Sequence, residues 1–70
     1  MSDKQTDMDL RKAAQVKEAF ANEFPSWSNW RVAARAYLKA GDSERMTTCI
    51  TLSNMYPCTD EQRRLDEILA

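Results

Sequence analysis

Apolar residues recur at spacings of three and four along most of the chain, a pattern that predicts amphipathic helices separated at the glycine and the prolines. The first segment runs from about Met8 to Phe24 and is rich in residues that favour helix. Asp7 is available as its N-cap, and Pro25 ends it because the residue before a proline is pushed out of helical geometry. The apolar face of this predicted helix consists of Ala13, Val16, Phe20 and Phe24.

A second helix is predicted to run to about Ala40, with Ser26 or Ser28 as its N-cap. Gly41 follows it, at the position where a left-handed residue commonly ends a helix. The apolar face of this helix consists of Trp27, Trp30, Ala34 and Tyr37. We expect this face to lie against neighbouring helices.

The third segment, Ser43 to Tyr56, has Asp42 or Ser43 as its cap, but residues 47 to 51 include β-branched side chains that favour a strand. A strand there would have no second strand to satisfy its backbone groups, so helix is the prediction. The helical stripe of this segment consists of Met46, Cys49, Ile50, Ser53 and Tyr56.

A capping box begins the fourth helix, with Thr59 and Gln62 placed to satisfy each other's backbone donors. Asp60 with Arg64 and Arg63 with Glu67 are helix-stabilising pairs at a spacing of four. The buried edge of this helix is predicted to be Leu65, Ile68 and Leu69. The loops between the helices are two to four residues long, which favours antiparallel neighbours. The sequence thus predicts an all-α fold, a small bundle of three to four short antiparallel helices, with residues 1 to 6 as a flexible tail and residues 7 to 70 as one helical domain.

Composition indicates a thin core. Only 11 of the 70 residues are Leu, Ile, Val or Phe, although the net charge of −1 is far from the high charge typical of disordered chains. The chain is therefore expected to fold, with help from a partner or from a copy of itself. No apolar stretch approaches the roughly 20 residues of a membrane span, and the first ten residues lack a signal-peptide core, so we expect no membrane association and a cytoplasmic location.

Enzymatic chemistry has little support in the sequence. There is no histidine, the commonest general base and metal ligand, and a single glycine cannot build a phosphate-binding loop. Cys49 and Cys58 are expected to be reduced thiols, which could form a disulfide only if the chain turns back near Pro57. We therefore expect no catalytic residues, no metal site and no cofactor.

The residues from Trp30 to Pro57 occur in an order that resembles one tetratricopeptide repeat. After the tryptophan come small residues, a tyrosine, a turn and a closing proline: Ala33, Ala34, Tyr37, Leu38-Lys39-Ala40-Gly41-Asp42 and Pro57. Met46 stands where the second helix of that family usually has a small residue. The resemblance covers 28 of 70 residues in a single copy. It implies a helical hairpin, a unit that stacks on further hairpins and binds peptides in that family, and we take only the hairpin geometry from it.

Three cations, Arg31, Arg35 and Lys39, are spaced by four along one face of the second helix, with Asp42 as the one acid at helical spacing. Trp27 and Trp30 begin the same helix, and arginine and tryptophan are enriched at binding hot spots. We therefore predict a partner-binding site made of these five residues. Two alternatives remain open: the tryptophans are core anchors, and the cations pair with Glu18, Glu23, Asp66 or Glu67 on neighbouring helices.

The functional hypothesis that best fits these features is a small non-catalytic regulatory or inhibitor protein that binds a larger protein partner through a helical surface. The alternative is a nucleic-acid-binding module that uses the basic stripe, although a net charge of −1 is unusual for that class. A homo-oligomer in which a copy completes the core is compatible with both.

Overall fold

Four helices make up the fold in a computed structural model that describes the backbone of residues 3 to 69 and the side chains of residues 8 to 66. They are α1 (Asp3–Glu23), α2 (Trp27–Lys39), α3 (Ser43–Ser53) and α4 (Asp60–Leu69). Residues 3 to 69 contain no strand, so residues 47 to 51 are helical despite their β-branched side chains. The predicted all-α fold is confirmed.

The start of α1 differs from the prediction. The helix begins at Asp3, so Asp7 lies inside it and is not its N-cap. Residues 3 to 6, predicted to belong to a tail, are part of α1, while the first two residues of that tail lie outside the described residues. Residues 3 to 6 contain neither glycine nor proline, so nothing in them interrupts the helical backbone of α1.

Hydrogen-bonded caps begin the next three helices where the sequence predicts them. The Ser26 side chain accepts from the Asn29 amide at 3.0 Å and starts α2, and Asp42 accepts from the Arg45 amide at 3.0 Å and starts α3. Gly41 adopts a φ of +78° between these two helices. Thr59 and Gln62 form the predicted reciprocal capping box: Thr59 N donates to Gln62 Oε1 and Gln62 N donates to Thr59 Oγ1, both at 3.0 Å.

The core is centred on α2, which packs on α1 along one side and on α3 along another. The predicted face of α2 is buried, as are the small residues that α1 and α3 bring to it; the buried cluster is Ala14, Ala21, Trp30, Ala33, Ala34, Tyr37 and Cys49. Together, α2 and α3 form the helical hairpin expected from the sequence. Ala14 and Ala21 let α1 approach α2 closely, because neither side chain extends beyond its Cβ.

One polar network joins three helices in this core. The Tyr37 hydroxyl of α2 is buried and donates to Glu18 Oε1 of α1 at 2.5 Å. Arg45 of α3 places its Nη1 atom 3.6 Å from the same carboxylate oxygen and its guanidinium carbon 5.9 Å from the Tyr37 ring centroid. Burial, and then the neighbouring Glu18 carboxylate, raise the pKa of Tyr37 to about 12. The network therefore fixes which face of α1 meets α2.

The end of α3 and the position of α4 also depart from the prediction. α3 ends at Ser53, three residues before Tyr56, and a six-residue connection leads to α4. Leu65, predicted to be part of a buried edge, is half exposed, and the side chains of Ile68 and Leu69 lie outside the described residues. The extensive contacts between helices are those of α1 with α2 and of α2 with α3. The described side chains that join α4 to this unit are mainly polar.

Both cysteines are free thiols, as predicted. Cys49 is buried in the core, and this burial raises the pKa of its thiol, so the thiolate that reacts with oxidants and electrophiles is disfavoured. Cys58 is partly exposed in the connection before α4, where its Sγ atom accepts a weak hydrogen bond from Arg63 at 3.7 Å.

Candidate functional site

Two of the three cations in the basic stripe of α2 pair with a single carboxylate of α4. Arg35 Nη2 lies 2.5 Å from Asp66 Oδ1, and Arg31 Nη1 lies 3.2 Å from Asp66 Oδ2. Arg31 also donates to Asn54 Oδ1 at 2.9 Å, and its guanidinium lies over the Trp27 ring, 5.1 Å from the centroid. The sequence left open whether these cations form a binding face or pair with acids on neighbouring helices. Arg31 and Arg35 pair with Asp66.

The five predicted site residues divide into three groups. Trp27 and Trp30 are 7% and 4% exposed, so they are core anchors and do not present a surface to a partner. Arg31 and Arg35 meet at Asp66, with Trp27 beneath Arg31. Lys39 is exposed and lines a depression together with Arg35 and with Leu10 and Ala13 of α1. The structure therefore does not assemble the five residues into one exposed site.

A different surface is exposed on α1. Val16, Phe20 and Phe24 are 66%, 52% and 55% exposed, and Ala13 is exposed with them, so the stripe predicted as the apolar face of the helix is not the face that packs on α2. The Phe20 and Phe24 rings pack on each other with their centroids 5.1 Å apart. α1 therefore has two apolar faces, a buried one of small residues and an exposed one of large residues.

The exposed face of α1 continues into two depressions between α1 and α2. One has a volume of about 330 Å³ and is lined by Val16, Lys17, Phe20, Asn29 and Val32. The other has a volume of about 360 Å³ and is lined by Leu10, Ala13, Lys17, Val32, Arg35, Ala36 and Lys39. Because they share Lys17 and Val32, they form one continuous surface, which we call the α1–α2 groove. Its floor is apolar and its charged lining residues are cations.

Sequence reasoning missed this groove because it assigned the larger apolar side chains of α1 to the core. The signal that could have revealed the true face is the series Ala14, Glu18 and Ala21, at spacings of four and three. A carboxylate flanked by alanines can face a buried hydroxyl, because the small neighbours leave room for the helix to approach. The need for a carboxylate on this face of α1 becomes apparent only once Tyr37 is known to be buried next to α1.

Other kinds of site have no support in the described part of the chain. It contains no group of three or more cysteine, aspartate or glutamate side chains placed to hold a metal ion. The polar depression between α1 and α3 is lined by Glu18, Asp42, Glu44, Arg45 and Thr48, and Arg45 is paired with both Glu18 and Asp42. Among the helices described, none is both long enough and apolar enough to cross a membrane.

Comparison with known proteins gives no relative from which a site could be transferred: no protein-family model, curated protein or solved structure matches the chain significantly. The resemblance of residues 30 to 57 to a tetratricopeptide repeat therefore rests on the order of the residues alone and assigns no family.

Proposed function

We propose that this chain is a small non-catalytic regulatory or inhibitor protein that binds a helix of a larger protein partner in the α1–α2 groove. One observation carries the proposal: the large apolar side chains of α1 face away from the core, and Val16, Phe20 and Phe24 are each more than half exposed. Single exposed apolar residues are ordinary on protein surfaces, whereas a continuous apolar surface with a polar border is typical of protein-binding sites.

The charges of the α1–α2 groove select the kind of helix that would bind. Its charged lining residues are Lys17, Arg35 and Lys39, and no carboxylate is found among the described residues that line it. An amphipathic helix with apolar residues at spacings of three and four would bury its apolar face on the groove floor. Acidic residues on either side of that face would complement the lysines and exclude cationic helices. The occupant we propose is therefore an acidic amphipathic helix.

Nucleic-acid binding by the basic stripe has less support. Arg31 and Arg35 are held by Asp66, which leaves Lys39 as the exposed cation of the stripe in the described structure. A net charge of −1 also provides little of the phosphate neutralisation on which nucleic-acid affinity depends.

A synthetic amphipathic peptide tests the proposal directly. The probe carries leucines at spacings of three and four with glutamates beside them, and a matched peptide carries lysines in place of the glutamates. We expect the acidic peptide to bind saturably in calorimetry and the basic peptide not to bind. Phe20→Ser removes a ring whose burial is worth about 1.5 to 3 kcal/mol, so it should weaken binding by about 10-fold or more.

Met55→Ser is the matched control, because Met55 is an exposed apolar residue outside the groove. This variant should retain the affinity of the unmodified protein, whereas Lys17→Glu should lower it for the acidic peptide. Equal effects of Phe20→Ser and Met55→Ser would contradict groove binding. A dimer that Phe20→Ser converts to monomer in light scattering would assign the groove to a second copy and refute the proposed occupant.

A further inference from the structure

The described side chains of α4 attach this helix to α2 through a charge cluster. Asp66 uses one carboxylate oxygen for Arg31 and the other for Arg35. A second polar contact joins the helices where Gln62 donates to the Ser28 hydroxyl at 3.2 Å. Leu65 remains half exposed. The described side chains of α4 thus bind α2 mainly through carboxylate recognition.

An apolar cavity lies beside this cluster, between α2 and α3. Its volume is about 130 Å³, and Arg31, Arg35 and Asp66 lie at its edge. The remaining lining is apolar and consists of Ala34, Leu38, Met46 and Ile50. Among the described side chains of α4, only Asp66 lines this cavity, whereas Leu65 lines a separate depression beside Trp27. The two arginines and Asp66 therefore lie next to an apolar cavity, and no apolar side chain from the described part of α4 lines it.

The two arginines also have hydrogen-bonding capacity that Asp66 does not use. The Nε atoms of Arg31 and Arg35 are buried, and within the described part of the chain neither has a hydrogen-bond partner. Each guanidinium offers five donors in a planar fork that suits bidentate binding of a carboxylate. Two guanidinium groups that share one carboxylate have donors left to bind a second acidic side chain, or to bind a single carboxylate in a bidentate geometry.

We propose that Arg31, Arg35 and the adjoining cavity form a docking site for an acidic amphipathic helix of a partner protein, and that α4 occupies this site in the free chain. The partner's carboxylate replaces Asp66 on the two arginines, and an apolar side chain one turn away enters the cavity lined by Met46 and Ile50. α4 indicates the kind of occupant, because it is itself a helix that contacts the two arginines through a carboxylate. This site shares Arg35 with the α1–α2 groove, but its cavity lies between α2 and α3 and is lined by neither Phe20 nor Lys17.

The test uses the full chain and a fluorescent peptide of residues 59 to 70 as the probe, followed by fluorescence anisotropy. Asp66→Asn in the protein removes the internal carboxylate and increases the fraction of molecules with an open site. Apparent affinity scales with that fraction, so the variant should bind the peptide at least about tenfold more tightly than the unmodified protein. Asp60→Asn, which removes an exposed carboxylate from the same helix, is the matched control and should leave the affinity unchanged.

Two further changes identify the site. Adding Arg35→Ala to the Asp66→Asn protein should abolish the gain in affinity, and a peptide that itself carries Asp66→Asn should bind about tenfold more weakly. Adding Phe20→Ser to the Asp66→Asn protein should leave that gain in affinity unchanged, because Phe20 lies in the α1–α2 groove and not in this cavity. Equal affinity of the Asp66→Asn and unmodified proteins would overturn the proposal, as would loss of the gain when Phe20→Ser is added. A dimer formed by exchange of α4 would assign the site to a second copy and also overturn it.

If circular dichroism shows that Asp66→Asn does not fold, hydrogen exchange on the unmodified protein tests whether α4 can leave its site while the rest of the fold stays intact. Release of α4 as a unit requires its amides to exchange faster than those of α2, and high salt should widen the difference because it screens the charge cluster. Equal protection of α2 and α4 would show that α4 opens only with the whole fold, which refutes its displacement by a partner.

Discussion

Raising the pH above 10 should destabilise the fold through the ionisation of Tyr37. Its hydroxyl is buried and donates to the Glu18 carboxylate at 2.5 Å. Ionisation would place two negative charges in contact and remove the donated hydrogen, and Arg45 offsets this only in part. Burial and the neighbouring carboxylate accordingly raise the pKa of Tyr37 from 10.0 to about 12.

The pH dependence of the free energy of unfolding follows from the fact that Tyr37 loses its proton at a lower pH in the unfolded chain than in the folded chain. Below pH 10 the phenol is neutral in the folded and the unfolded chain, so its contribution to stability is fully present. Between pH 10 and 12 the unfolded chain ionises while the folded chain does not, so the free energy of unfolding falls as the pH rises. The difference between the two pKa values corresponds to about 3 kcal/mol, which is lost by the top of this range.

Urea unfolding followed by circular dichroism at neutral pH and across this range measures the effect, with Tyr37→Phe as the comparison. The variant should be less stable than the unmodified protein at neutral pH by about 1.5 to 3 kcal/mol, the usual value of a hydrogen bond to a charged group. The two stabilities should then converge as the pH rises from 10 to 12, because only the unmodified protein has this phenol to ionise. The Cys49 thiol, whose pKa is raised by burial, is common to both proteins, so its contribution cancels in the difference.

Tyrosinate absorbance gives an independent measurement. The chain has two tyrosines, so Tyr56→Phe leaves Tyr37 as the only source of the signal. Its titration should be centred near pH 12 in the folded protein and near 10 in denaturant. A titration near pH 10 in the folded protein, or parallel pH dependence of Tyr37→Phe and the unmodified protein, would refute the reasoning.

Three further substitutions test the packing and the helix ends by urea unfolding or hydrogen exchange. Ala21→Leu, at a fully buried position of α1, should cost about 1 to 3 kcal/mol by overpacking, whereas Ala19→Leu on the exposed side should change stability by about 0.5 kcal/mol or less; equal effects would contradict the assigned face. Gly41→Ala should cost about 1 kcal/mol from its positive φ alone, since an added Cβ meets no atom within 4 Å, and an unchanged midpoint would contradict this origin. Thr59→Ala removes half of the capping box and should destabilise α4 by about 0.5 to 2 kcal/mol, seen as faster exchange in α4 but not in α2; a uniform loss of protection would contradict a local effect.

The starts of α2, α3 and α4, the turn after α2 and the buried face of α2 could be predicted from the sequence because their causes are local. Ser26, Asp42 and Thr59 each bond to an amide three residues away, and Gly41 meets a backbone requirement at its own position. The face containing Trp27, Trp30 and Tyr37 is the one group of large aromatic residues on α2, so no other face competes for burial. Local hydrogen bonding and side-chain size were sufficient for these features.

Only the tertiary structure determines which face of α1 is buried and which acid pairs with Arg31 and Arg35. α1 has two apolar faces, and the face with less apolar area packs inward because Glu18 accepts from Tyr37 while Ala14 and Ala21 allow close approach. Phe20 is therefore left on the surface. Likewise, Arg31 and Arg35 have no acid at helical spacing, and their partner Asp66 lies more than thirty residues away in the chain. Sequence periodicity reports on neighbours within a helix, whereas both outcomes depend on charges and hydroxyl groups brought together from different helices.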